Sequence, residues 1–329
     1  MRAITIEQYG GPEVLQKRND VPIPDVQAGH VLIKVACAGI NFMDVHTRQG
    51  KYINSQTYKV RLPCTLGMEG SGQVVAFDDD VKDFSIGDRV AWCIAWGSYA
   101  EYISVPAALV VTLPDNISYE LAAASIFQGS TAHYLIEDVA RLKSGSSCLI
   151  HAAAGSIGQL LVQMAKLRGA TVFVTAGTAE KRATAIRRGA DHAFDYSQGG
   201  VAEQVREATG GNGVDVVFDS VGKATLRDSF RACKKHGLIV NYGNVSGSLT
   251  DLDPIELGEA GSLFLTRPRL ADHMVNRQMV QRRADAVFTA LINGSLKIDI
   301  EGDYSLDNVE QAHARIERRE QVGKSILHI

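Results

Sequence analysis

Short apolar runs broken by turns rich in Gly, Pro and Asp fill the first third of the chain. They predict strands at Ala3 to Gln8, Val31 to Ala38, Gly72 to Phe77, Arg89 to Ala91 and Tyr99 to Val105. From Tyr119 the pattern turns helical, through Glu120 to Ala124 and Thr131 to Ala140. Strands and helices then alternate: His192 to Tyr196, Val201 to Thr209, Val214 to Asp219, Ala224 to Cys233, Leu238 to Asn241 and Ser262 to Thr266. That alternation predicts a parallel sheet. A long amphipathic helix is expected from Leu270 to Asn293, with Met274 and Met279 as core fillers. Ile298 to Ile300, Leu306 to Arg319 and Lys324 to Leu327 are too few elements for a domain, and are expected to return to the β-rich N-terminal part.

One turn in the alternating region carries chemistry. The strand Ser147 to Ile150 runs through Ala153, Ala154, Gly155, Ser156, Ile157 and Gly158 into a helix beginning at Gln159. This is the dinucleotide-binding G-x-G-x-x-G pattern with Ala in the first place. Gly155 admits a pyrophosphate to the backbone, Gly158 lets helix and strand pack closely, and the N–H groups at the helix start face the phosphates. Small-residue turns also occur for packing alone, so context decides. A second strand, Thr171 to Thr175, completes a βαβ unit of about 30 residues.

That strand ends in Ala176, Gly177 and Thr178, without the Asp or Glu that would bond a ribose 2′-hydroxyl. Lys181 and Arg182 follow instead. A 2′-phosphate meets cations there and no carboxylate, so NADPH is favoured over NADH.

Composition narrows the field. The chain has 329 residues, 45% hydrophobic and 22% charged, and a formal net charge of -3. Nothing marks a surface for nucleic acid or an acidic membrane, neither of which is expected as a partner. No apolar run is long enough to span a membrane, and Glu7 falls where a signal peptide needs apolar residues, so a cytoplasmic location is expected. The cysteines, Cys37, Cys64, Cys93, Cys148 and Cys233, are far apart with no histidine at ligand spacing. They read as small buried hydrophobes, and no metal is expected.

Several motifs in order resemble one superfamily. They are Gly10 to Leu15, Gly39 to Asp44, Gly87 to Val90, the Ala152 to Gly158 turn, Thr209 to Asp215, Asp219 to Gly222 and Thr266 to Pro268. Over essentially the whole chain the sequence resembles the medium-chain dehydrogenases/reductases, and within them the zinc-free NADPH:quinone oxidoreductases of the zeta-crystallin type. The zinc-dependent alcohol dehydrogenases look similar but place cysteine where this chain has Asn41 and histidine where it has Met68, and Glu69 alone cannot hold a catalytic metal.

The resemblance implies an α/β protein: a doubly wound Rossmann domain over residues 126–266, and a GroES-like β-rich catalytic domain over 1–125, completed by 267–329. The cofactor would lie in the cleft. Asn41 and Tyr52 are implied as catalytic walls, Asn41 donating its amide to a carbonyl oxygen, Tyr52 stacking or donating its hydroxyl. His46, where relatives often carry tyrosine, and Thr131 are implied in the substrate pocket. For the cofactor the resemblance carries over Gly155, Ser156, Ile157 and Gly158 at the pyrophosphate; Gly177, Thr178 and Lys181 at the 2′-phosphate; and Tyr196 near the adenosine. Phe42, Thr131, Tyr134, Gly243, Asn244, Leu265, Thr266 and Arg267 would line the nicotinamide side, and Arg319 would add charge to the adenosine phosphate. The strand ending at Thr266 resembles the family's dimer edge, which implies a homodimer.

Three functions follow. The first is NADPH-dependent reduction of quinones by hydride or sequential electron transfer, without metal. The second is NADPH-dependent reduction of enoyl or alkenal substrates, which gains from a placed acid such as Tyr52. The third is a structural, crystallin-like protein that holds NADPH and turns over little.

Overall fold

The computed structural model describes all 329 residues, which divide into two compact units. The first unit comprises Met1–Ser130, His273–Gly294 and Ile298–Ile329, and the second Thr131–Asp272 with Ser295–Lys297.

The first unit opens with strands β1 (Ala3–Ile6), β2 (Gln16–Arg18) and β3 (His30–Ile40), then the short helix α1 (Phe42–Arg48). Strands β4 (Cys64–Thr65), β5 (Glu69–Phe77), β6 (Arg89–Cys93), β7 (Tyr102–Pro106) and β8 (Val110–Thr112) follow, and then helix α2 (Tyr119–Tyr134), whose residues from Thr131 onward belong to the second unit. β3 is the spine: it pairs antiparallel with β5 and β7, and alternate residues Val31, Ile33 and Val35 are buried in the core with Trp92 and Val105. Helix α2 runs unbroken through Gln128, Gly129 and Ser130, joining the expected Glu120 to Ala124 stretch to the start of the Thr131 to Ala140 one, whose remainder, Leu135–Ala140, is a π-helical turn. Both Gln128 and Ser130 are buried, so tertiary packing overrides the weak propensity of that segment.

The second unit holds β9 (Ser147–Ile150), α3 (Ser156–Leu167), β10 (Thr171–Thr175), α4 (Ala179–Arg187) and β11 (His192–Phe194). It continues with α5 (Val201–Ala208), β12 (Val214–Asp219), α6 (Leu226–Ala232), β13 (Cys233–Asn241), α7 (Pro254–Glu259) and β14 (Phe264–Thr266). The sheet is six-stranded and parallel in the order β11-β10-β9-β12-β13-β14. Counted within the unit this is 3-2-1-4-5-6, the doubly wound order whose switch point lies between β9 and β12. The sequence reading missed α7, although Asp253 and Glu256 form a capping box around Pro254.

The tail returns to the first unit as α8 (Arg277–Ile292), β15 (Ile300–Ser305), α9 (Val309–Glu317) and β16 (Lys324–His328). The single helix expected from Leu270 to Asn293 is two pieces. A 3-10 turn covers Leu270–His273, and α8 starts afresh where the Asn276 side chain accepts from the Met279 N–H at 2.9 Å. An N-cap of that kind overrides apolar periodicity. Met274 is in the core, but Met279 is exposed. β16 pairs antiparallel with the end of β3, and Val309, Ala312, Ile316 and Leu327 share a core with Ile4, Ile6 and Ile40.

Candidate functional site

In the second unit the turn between β9 and α3 is built for close approach. A Cβ on Gly158 would lie 2.6 Å from the Ala152 carbonyl oxygen and 2.7 Å from the Ala153 Cα, so only glycine lets helix and strand meet. Gly155 caps α3 and is exposed. The first N–H groups of α3, from Ser156 and Ile157 onward, have no partner within the helix, and the helix dipole adds positive potential there.

At the end of β10 the Thr178 hydroxyl accepts from the Lys181 N–H at 3.2 Å and opens α4. The Tyr196 hydroxyl stands 2.8 Å from where a Cβ of Gly177 would be, and Tyr196 is 46% exposed. Gly177, Thr178, Lys181 and Tyr196 therefore share one edge of the sheet. Arg182 beside them pairs its guanidinium with Asp195 at 2.8 Å.

Two positioning residues in this unit carry no role in the sequence pattern: Asp219, which lies within the Asp219 to Gly222 motif, and His151. Asp219, wholly buried at the end of β12, accepts from the Val221 and Gly222 N–H groups at 2.8 and 2.9 Å and from the Thr225 and Ser229 hydroxyls, both at 2.8 Å. Its carbonyl accepts from the Gly243 N–H at 3.3 Å, which fixes the loop carrying Gly243 and Asn244. His151 bridges Thr175 at 2.9 Å and Ser229 at 3.1 Å, and burial holds its imidazole below the usual range. Together they tie the strand ends on both sides of the switch point. Leu265, Thr266 and Arg267 mark the end of β14, and Thr131 and Tyr134 are buried in the last turns of α2. Arg319 belongs to the first unit, just beyond α9, in a left-handed conformation with φ of 58°.

In the first unit, Asn41 is the N-cap of α1 and forms a capping box with Asp44. Its amide nitrogen, expected to face a substrate carbonyl, donates to Glu69 at 2.8 Å. Its amide oxygen accepts from Gln128 at 2.6 Å and from the Lys324 ammonium at 3.0 Å. Lys324 also donates to the Ile40 carbonyl at 3.0 Å and to Glu69 at 2.5 Å. The other Glu69 oxygen accepts from the Phe127 N–H at 2.9 Å. Burial pulls the Lys324 ammonium below its ordinary range, opposed by Glu69. Asp44, bonded by the Tyr99 hydroxyl at 2.9 Å, is pushed up to about 7, mainly by burial.

Beside this network stands an aromatic wall. Phe42 and His46 meet edge to face at 4.8 Å, His46 and Tyr52 at 6.0 Å, and Tyr52 and Tyr58 lie 5.7 Å apart. Tyr58 carried no sequence signal. His46 Nδ1 is 3.4 Å from the Tyr52 hydroxyl, while His46 Nε2 is buried with no hydrogen-bond partner. Burial, with Lys51 nearby, pushes His46 down to about 4, so its imidazole is neutral at neutral pH.

Whether zinc suits this unit is decided by the donors. Asn41 and Met68 stand where thiolate and imidazole would be needed, and the oxygens of Asn41 and Glu69 already hold an ammonium. A divalent cation there would lose two strong ligands and face the buried charge of Lys324. These residues do not fit a catalytic zinc.

The alcohol dehydrogenase GroES-like domain model matches residues 27–115, and the zinc-binding dehydrogenase model matches 156–289. A quinone oxidoreductase of Pseudomonas aeruginosa is 36% identical over 327 residues, covering 99% of both chains. The crystal structure of Escherichia coli quinone oxidoreductase complexed with NADPH superimposes with a TM-score of 0.95 at 34% identity, covering 100% of each chain. This chain belongs to the quinone oxidoreductase family of the medium-chain dehydrogenases/reductases. A 2-haloacrylate reductase of Burkholderia sp is 34% identical over 329 residues, covering 99% of this chain and 98% of its own.

Proposed function

We propose that the protein is an NADPH-dependent quinone reductase that works without metal. The observation that carries the cofactor choice is the Gly177, Thr178, Lys181 and Tyr196 edge, which offers a lysine and an N-cap hydroxyl and no carboxylate at the end of β10. An anionic 2′-phosphate gains charge-assisted hydrogen bonds there. The start of α3 would hold the pyrophosphate, with Gly158 keeping the helix close to the strand.

When bound, NADPH supplies the hydride from C4 of its reduced nicotinamide. The chain then has to position the acceptor and stabilise charge on its oxygen. The Phe42, His46, Tyr52 and Tyr58 wall gives a flat acceptor aromatic faces to pack on. Neutral His46, with Nδ1 3.4 Å from the Tyr52 hydroxyl, holds Tyr52 in this wall. Asn41, whose amide is committed to Glu69, acts here by fixing the start of α1.

The Burkholderia relative favours a second reading, reduction of an activated alkene, where the α-carbon needs a proton and Tyr52 would be its donor. We further propose a homodimer formed along the edge strand β14, which pairs only with β13 and leaves Phe264 63% exposed, and a cytoplasmic location, consistent with five unpaired cysteines. No helix is long and apolar enough to cross a membrane.

The test is NADPH oxidation with 1,4-benzoquinone or 9,10-phenanthrenequinone against 2-hexenal. Turnover of quinones supports the first reading, and turnover of the enal alone replaces it with the second. No turnover with NADPH still bound leaves a nucleotide-holding structural protein.

A further inference from the structure

At the far end of β3 from its entry, a cysteine does meet a histidine. Cys37 on β3 and His328 on β16 are direct cross-strand partners, so their side chains lie on one face of the sheet. Cys37 Sγ and His328 Nδ1 are 3.6 Å apart, and Glu120, in the first turn of α2, brings a carboxylate oxygen within 4.8 Å of Cys37 Sγ and of a His328 ring nitrogen. The sequence hid this group because Cys37 and His328 are 291 residues apart.

We propose that Cys37, Glu120 and His328 form a binding site for a borderline divalent cation, Zn²⁺ in tetrahedral coordination.

The geometry fits that ion. With Zn–S near 2.3 Å and Zn–N near 2.0–2.1 Å, a tetrahedral angle sets sulfur and nitrogen about 3.6 Å apart. Those two donors are already at that spacing. The Glu120 carboxylate, which accepts hydrogen bonds from Ser118 and from its own backbone N–H, would exchange these for the ion through a rotamer change. His328 Nε2 faces Asp303 Oδ1 at 2.9 Å. A carboxylate on the outer nitrogen fixes the tautomer so that Nδ1 presents its lone pair to the ion, the arrangement that supports histidine ligands at metal sites generally. Thiolate, imidazole and carboxylate together select zinc or cobalt over magnesium or calcium.

The His328 side chain is 44% exposed, which gives the ion an entry path and a water as fourth ligand. On binding, the Cys37 S–H bond gives its proton to solvent as the metal–sulfur bond forms, with no change of oxidation state. No lysine takes part in this group, in contrast with the Asn41 and Glu69 cluster, where Lys324 already supplies the positive charge. A bound ion would clamp β3, β16 and α2, the elements that lead to Asn41, carry Lys324 and carry Gln128.

The experiment is a Co²⁺ titration of the full chain after chelator treatment, followed by absorbance. One ion per chain, with a thiolate-to-cobalt charge-transfer band and the visible bands of a tetrahedral ion, is expected, and added Zn²⁺ should abolish them. Cys37→Ser should remove the charge-transfer band. Glu120→Gln at a half-buried position and His328→Gln at an exposed one should each raise Kd at least about tenfold, and Asp303→Asn about tenfold. Zn²⁺ should raise Tm of the parent chain and not of His328→Gln. Absence of a charge-transfer band, or a band and Kd unchanged by Glu120→Gln and His328→Gln, would overturn the site.

Discussion

The Lys324 ammonium lies 2.5 Å from a Glu69 carboxylate oxygen, with both side chains shut off from solvent. A buried pair is held by completeness: every polar atom needs a partner, and removing one member strands the other. Here Ile40, Asn41 and Phe127 complete the set. Lys324→Met should therefore destabilise the chain by about 3–5 kcal/mol in denaturant unfolding, and adding Glu69→Gln should recover much of the loss. A single variant as stable as the parent would show that the pair is not held this way.

Gly158 and Gly177 separate two kinds of glycine. The extra methyl of Gly158→Ala meets backbone at 2.6 Å, which cannot yield, whereas that of Gly177→Ala meets only the tip of the Tyr196 side chain at 2.8 Å. We expect Gly158→Ala to weaken NADPH binding at least about tenfold in a fluorescence titration and to lower Tm. Gly177→Ala should leave Tm near that of the parent. Equal effects would contradict the packing argument.

Acid stability has a defined sign. Burial pushes His46 down to about 4 and His313 to about 3, so between about 6.5, the ordinary histidine value, and 4 the unfolded chain binds protons that the folded chain refuses. Stability contributed by these groups is complete above 6.5 and falls as pH drops through that window. Asp44, raised to about 7, works in the opposite direction, since its protonated form is favoured on folding. His46→Phe should flatten the loss of unfolding free energy between pH 6.5 and 4. An unchanged slope would mean that His46 is not held neutral.

Tyr52 distinguishes the two reductase readings. Quinone reduction leaves oxyanions that take protons from water, but an alkene needs a proton delivered to carbon. Tyr52→Phe should lower kcat with 2-hexenal by about 10²-fold or more and with 1,4-benzoquinone by much less. Equal losses would make Tyr52 part of the wall only.

Much of this was legible in residues that act locally. The turn at Gly155 and Gly158, the neutral end of β10 and the order of strands and helices follow from local period and turn chemistry. The Asn276 cap inside an apolar stretch, and the run of α2 through Gly129, were decided by a side chain and by packing that periodicity does not register. The Lys324 and Glu69 pair joins positions 255 apart, and Cys37 meets His328 only because β16 returns to β3. Tyr58 and Asp219 gained their places from a loop and a buried strand end, where residue type alone says little about partners.

The central claim, a site that grips a 2′-phosphorylated nucleotide and reduces a quinone, rests on Lys181. The most direct measurement is kcat/KM for NADPH and for NADH, with 1,4-benzoquinone as acceptor, in the parent chain and in Lys181→Ala. Loss of a charge-assisted contact of about 1.5–3 kcal/mol should cut the NADPH value by about 10- to 100-fold and leave the NADH value nearly unchanged. Equal losses with both nucleotides, or a parent chain that oxidises neither, would contradict it.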